Sequence, residues 1–165
     1  MSDHLTHLDE QGRARMVDVG GKAITERVCV ARAEVRMAAS TLERIAAGGL
    51  PKGDVLAVAR IAGIQAAKRT ADWIPLAHPI ALDAIEIDLN IDVAAGCVHV
   101  QAIARARART GVEMEALVGV SAASLALYDM CKAVDRGMTV EAVRLTEKRG
   151  GKSGHWVRAG EAGGH

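Results

Sequence analysis

Residues 83–107 constrain this chain more than any other segment. In DAIEIDLNID, Ile85, Ile87, Leu89 and Ile91 alternate with Glu86, Asp88, Asn90 and Asp92. That period of two describes a strand with one buried and one wet face. Ala94-Ala95-Gly96 supplies a turn, and 97 to about 107 returns with Val98, Val100, Ala102 and Ala104 facing together. A hairpin with one apolar face must bury that face against a second layer.

The remaining chain provides the layer. Residues 27–37 (RVCVARAEVRM) are β-branched and alternating, which predicts a strand. Residues 40–48 carry the capping-box spacing Ser40…Glu43 and predict a short helix ending at Gly48-Gly49. Asp54 is placed to cap a longer helix from 55 to about 73, which Pro75 stops. Residues 112 to about 134 predict a long, Ala-rich helix, and 140–147 a last strand. Counting the two consecutive helices as one crossover gives β-α-β-β-α-β. This is an α+β, ferredoxin-like plan: an antiparallel four-stranded sheet with helices packed on one face.

The chain has 165 residues, half of them hydrophobic, enough for one domain over 1–165. About 1–22 is expected to be a polar arm and about 157–165 a flexible tail. With 31 Ala and no Phe, the helices should pack closely. The other sheet face would remain open, and oligomerisation is expected to cover it. The net charge of +1 and the 2% aromatic content argue against a nucleic-acid partner, which would need surplus cations or rings for stacking. Cys29, Cys97 and Cys131 are odd in number and widely spaced, which predicts reduced thiols in a cytoplasmic setting. No apolar run is expected to span a membrane.

Fifteen of the 21 cationic residues are Arg. The six lysines, Lys22, Lys52, Lys68, Lys132, Lys148 and Lys152, therefore invite scrutiny, because an ammonium can release and regain a proton where a guanidinium cannot. Asp129 and Lys132 share a helix face. By spacing alone they read first as a surface ion pair and only second as an acid–base pair. Glu113 and Glu115 begin the same helix, where the dipole favours acids. Glu115 and Asp129 are nearly aligned but about 21 Å apart along it. If both are functional, a neighbouring subunit must bring one chain's Glu115 to the other's Asp129. Pro75-Leu76-Ala77-His78-Pro79 holds a histidine between two backbone-fixing prolines. Lys52-Gly53-Asp54 sits at a helix entrance that is either an anion site or a simple cap. Residues 148–154 (KRGGKSG) have the composition of an oxyanion cradle or of a solvated tail. Cys97 and His99 offer two metal ligands where a structural zinc takes four, so no protein-bound metal is expected.

MVDV at 16–19, KGDV at 52–55, ARIAGIQAAKRT at 59–70, IPLAHP at 74–79, TGVEMEAL at 110–117, YDMCKAVD at 128–135 and GGKSGHW at 150–156 together resemble the cyclic pyranopterin monophosphate synthases of molybdenum cofactor biosynthesis. The resemblance implies a ferredoxin-like subunit in a homohexamer, a trimer of dimers with sites at subunit interfaces. It implies a lyase that converts (8S)-3',8-cyclo-7,8-dihydroguanosine 5'-triphosphate to cyclic pyranopterin monophosphate and pyrophosphate. No cofactor is implied, and Mg²⁺ accompanying the triphosphate is left open. Asp129, Lys132 and Lys52 match the family's catalytic positions. Leu76, Ala77, His78, Met114 and Glu115 match its substrate-contacting segments, with Glu113 beside them, and Lys68, Arg69 and Lys152 resemble residues at the anionic end. Both lysines of the catalytic set are expected to have depressed pKa values if their pocket is dry. The family usually has Cys where this chain has Ala77 and commonly Ser where it has Arg149. The competing reading is a non-catalytic nucleotide- or phosphate-sensing module on the same fold.

Overall fold

The computed structural model describes residues 11–50, 52–152 and 154–161. Along the chain run β1 (Thr25–Arg36), α1 (Ala39–Ala46), α2 (Val55–Ala67), α3 (Thr70–Trp73), β2 (Ala84–Asp92), β3 (Cys97–Ala108), α4 (Glu113–Cys131), β4 (Thr139–Arg149) and β5 (His155–Val157). The strands form one antiparallel sheet in the order β2-β3-β1-β4-β5. The first four have the expected ferredoxin-like arrangement. The fifth is an addition: Lys148 pairs with Trp156 and Arg149 with His155, turning the glycine-rich end into a hairpin.

The long helix predicted over 55–73 is divided. α2 ends at Ala67, and α3 resumes at Thr70, whose hydroxyl donates to the Ala67 carbonyl. The capping box expected at Ser40 and Glu43 does not form. The N-cap of α1 is Ala38, and its amide and the Thr41 hydroxyl both donate to the Asp135 carboxylate, at 2.9 and 3.1 Å. A tertiary partner therefore does the work of a local cap.

α4 lies across the sheet with α2 antiparallel beside it. Cys29, Ala31, Ala33 and Val35 of β1 meet Val98, Val100, Ala102 and Ala104 of β3 and Val112, Ala116, Val120 and Ala123 of the α4 segment in one core. Small side chains on both layers permit this close packing, as the alanine content suggested. α4 is long and apolar enough to cross a membrane by composition, contrary to expectation, but most of it is buried inside the fold. β4 carries two register irregularities against β1, one opposite Arg32/Glu34 and one opposite Val30/Ala31. Ala142, at φ 52°, lies in the first. Each extra residue resets the alternation, so Val140, Leu145 and Lys148 all share the helix side with their partners Val35, Ala31 and Cys29.

The opposite sheet face is not an apolar surface awaiting cover. Arg32, Glu34, His99, Gln101, Asp88, Asn90 and Arg144 line it. The end of the chain closes part of it: Glu161 accepts from Arg32 at 2.7 Å and from Arg144 at 2.5 Å. The segment following Trp156 is thus anchored as far as Glu161, and the last residues of the expected tail lie outside the described region. The helical layer carries exposed apolar side chains at Val58 and Ile61 of α2, Trp73 of α3 and Leu125 of α4; others lie at Met16, Ile24, Val93, Val134, Val143 and Trp156.

Candidate active site

Asp54 caps α2 by accepting from the Ala57 amide at 2.9 Å, so the helix entrance at 52–54 serves as a cap. The preceding lysine turns away to the end of α4. Lys52 Nζ donates to the Asp129 carbonyl at 2.9 Å and to Oδ2 at 3.1 Å, while Lys132 Nζ lies 2.6 Å from Oδ1. One carboxylate is clamped between two ammonium groups. Lys132 and then Lys52 hold the Asp129 carboxyl below the usual carboxylate range. The same contact pushes Lys132 upward, against the expected depression. The physical reason is exposure: all three side chains are about half exposed, so pairing outweighs desolvation.

The other predicted residues, apart from Lys68 and Arg69, gather around the opposite end of α4. A cavity of about 510 Å³ is lined by Leu76, Ala77, His78, Glu113, Met114 and Glu115, with Val17 and Val19 of the arm. A second, of about 820 Å³, shares Lys22, Thr110, Gly111 and Glu113 with the first and adds Arg27, Arg109, Lys148 and Lys152. The first offers a mixed apolar and hydrogen-bonding wall. The second brings Lys22, Arg27, Arg109, Lys148 and Lys152 around one opening, the composition of a polyanion site.

Glu115 is buried, at 3% exposure. Burial pushes its carboxyl up to about 7, its own amide opposes the shift, and the neighbouring Glu113 charge adds to it. A carboxylic acid that changes state near neutrality can both give and take protons. Glu113 is paired with Lys148. His78 Nε2 lies 2.7 Å from the Val17 carbonyl. Arg27 is buried and donates to the Ala108 and Arg109 carbonyls, both at 3.4 Å. Gly150 and Gly151, both at positive φ, fold over it; a Cβ on Gly150 would strike the Glu26 carbonyl, and one on Gly151 the Arg27 guanidinium. Bare backbone is required there, so Gly150 and Gly151 pack on Glu26 and Arg27 instead of lying in a solvated tail, while the Gly150 and Gly154 amides donate within the loop, to the Gly154 and Gly151 carbonyls.

Lys68 and Arg69 are exposed just beyond α2 and line neither cavity. Lys22, Arg27 and Lys148 were missed as site residues. The scarcity of lysine was a usable signal for Lys22 and Lys148, whereas Arg27 reads as an ordinary strand residue. On the open sheet face, Glu34 joins Cys97 and His99 to give three donor atoms within 4.8 Å of one another, one more than sequence spacing revealed. This trio is remote from both clusters: the strands separate it from the helical layer.

Within one chain the Asp129 cluster and the Glu115 cavity stand at opposite ends of α4, separated by about 21 Å at 1.5 Å rise per residue. The MoaC family matches residues 16–151, a span that takes in both clusters. The chain is 60% identical over 157 residues to a cyclic pyranopterin monophosphate synthase of Roseiflexus sp. (strain RS-1), covering 95% of this chain and 99% of that protein. It is 60% identical over 155 residues to one of Novosphingobium aromaticivorans, with 94% and 98% covered. A third, of Parvibaculum lavamentivorans, is 58% identical over 152 residues, with 92% and 95% covered. With identity at that level running from the arm through the last long strand, the chain belongs to the MoaC family.

Proposed function

We infer that this protein converts (8S)-3',8-cyclo-7,8-dihydroguanosine 5'-triphosphate to cyclic pyranopterin monophosphate with release of pyrophosphate, an early step of molybdenum cofactor biosynthesis. One observation carries the reading to the side chains: a carboxylate held between two ammonium groups stands apart from a cationic cavity with a neutral-range acid. The purine ring must be opened and rebuilt as a pterin, which requires several proton transfers. Asp129, Lys52 and Lys132 supply donors and an acceptor within hydrogen-bond reach of one another. Glu115 and His78 supply a second set, and Lys22, Arg27, Lys148 and Lys152 neutralise the triphosphate while pyrophosphate leaves. The rearrangement is internal and needs no protein-bound cofactor. The sensing alternative is not favoured, since the relatives are synthases by name.

The two sets belong to one reaction only if different copies of the chain meet. The helices support this: Val58, Ile61, Trp73 and Leu125 leave apolar area on their outer side, the type of surface a second copy covers. We therefore place complete sites between subunits of a homo-oligomer, with a hexamer as the expected assembly. Covering Asp129 and Lys132 would also supply the desolvation that a single chain lacks. The three thiols are free and buried, in keeping with a reducing, cytoplasmic setting.

Incubation with the cyclised dihydro-GTP tests the function. Fluorescent pterin after oxidation and an equal amount of pyrophosphate are expected; substrate bound but returned intact would refute it.

A further inference from the structure

We propose that the main-chain carbonyl of Val17 is a positioning group for His78, fixing the imidazole as the Nε2–H tautomer and leaving Nδ1 as the one ring atom that accepts a proton. The inference rests on the functional reading above and deepens it.

A carbonyl oxygen has lone pairs and no proton, so a contact of 2.7 Å from His78 Nε2 requires the ring nitrogen to donate. In neutral imidazole the other nitrogen must then carry the lone pair. Among the described residues Nδ1 has no hydrogen-bond partner, and the ring forms part of the wall of the Glu115 cavity. Pro75 and Pro79 fix the loop that carries it.

The arm is itself held. Lys22 N–H donates to the Val19 carbonyl at 3.0 Å, and Gly20 N–H donates to Asp18 Oδ1 at 2.8 Å, closing a turn. Arg109 Nε donates to the Lys22 carbonyl at 3.2 Å, tying that turn to the end of β3. Residues 17 and 22 are thus anchored on either side, at His78 and at Arg109. Val17, Val19 and Lys22 line the same cavity as the ring. A proton leaving the substrate is taken by Nδ1, the imidazolium so formed keeps its Nε2–H bond to Val17, and the same proton is later returned from Nδ1. Without the arm the ring can rotate or donate from either nitrogen to water.

The test uses the whole chain and two readouts. Nitrogen-15 NMR of the neutral His78 ring should show a proton on Nε2 protected from exchange and a bare Nδ1. A semisynthetic chain with an ester in place of the Val17–Asp18 amide weakens that carbonyl and alters no side chain. In it the protected Nε2–H signal should disappear, with kcat for the cyclised dihydro-GTP about tenfold lower and KM within about twofold. Deleting 1–19 should abolish the signal too and also raise KM, because part of the cavity wall is removed. A proton on Nδ1 in the intact protein, a protected Nε2–H that survives the deletion, or an ester variant altered only in KM would each overturn the proposal. The tautomer readout does not depend on turnover, so an intact chain with the expected spectrum but no pterin product would refute the reaction and leave the positioning role standing.

Discussion

Gly63 approaches Gly119 so closely across the α2–α4 contact that a Cβ on Gly63 would lie 2.9 Å from the Gly119 carbonyl oxygen. Ala123 Cβ and Ile87 Cδ1 would each be 3.1 Å away. This contact sets the spacing of the two helices, and hence the reach from Lys52, ahead of α2, to Asp129, near the end of α4. Alanine at 63 would gain about 1 kcal/mol of helix propensity. Overpacking against backbone costs about 1–3 kcal/mol and should prevail. Gly63→Ala is expected to lose stability by about 1 kcal/mol, read as a fall of a few degrees in thermal melting. A variant melting above the parent would show that the helices can separate at no cost.

The Asp129 clamp predicts a separation of binding from chemistry. Lys132→Ala and Asp129→Asn should each reduce kcat by about 10²–10⁴-fold, the usual contribution of a positioned acid or base. Both should lower the melting temperature by a few degrees at most, since within one chain the pair is half-exposed and such ion pairs contribute about 1 kcal/mol or less. Pyrophosphate affinity should stay within a few-fold, because the cations around the 820 Å³ cavity are untouched. Turnover undiminished in the double variant would end the catalytic assignment, and affinity falling in step with turnover would favour a phosphate sensor.

Glu115 predicts an unusual pH dependence of stability. Its folded pKa of about 7 lies above the ordinary glutamate value of 4.5, so the folded state binds its proton more tightly than the unfolded chain. Its stability contribution is therefore complete below 4.5, falls as pH rises through the interval to 7, and is lost above it. The shift corresponds to about 3 kcal/mol. Glu115→Gln should flatten this part of the profile in denaturant titrations between about pH 4.5 and 7.5. A profile identical to the parent's would mean that the carboxyl is solvated or paired.

Sharing of sites predicts complementation. Subunits bearing Glu115→Ala and subunits bearing Asp129→Asn should each be inactive alone. Unfolded and refolded together, they should recover up to about a quarter of parental activity if each site takes one residue from each chain by random assortment. Absence of recovery in a verified mixed oligomer would confine the site to one chain.

The alternation at 84–92, the turn at Gly96 and the alanine-rich helix made the four-stranded plan legible, because period and turn chemistry are local properties. The residues around Asp129 and His78 were also nameable, through the motifs that resemble a family. What pairs with what was not. The cap of α1 comes from Asp135, Lys132 is raised rather than depressed by its partner, and Lys148 reaches Glu113 only because extra residues in β4 reset its facing. Lys68 and Arg69 matched by motif yet line neither cavity.

By itself the sequence determined which segments become strands and helices, the family, and the inventory of acids and bases. Tertiary structure decided that the inventory divides between the two ends of α4, that Arg27 and the arm belong to the cationic end, and that the outer sheet face is charged. The reason is that periodicity fixes the direction of a side chain relative to its own element. Burial, pairing and proton affinity depend on groups far away in sequence, and those meet only when the layers pack.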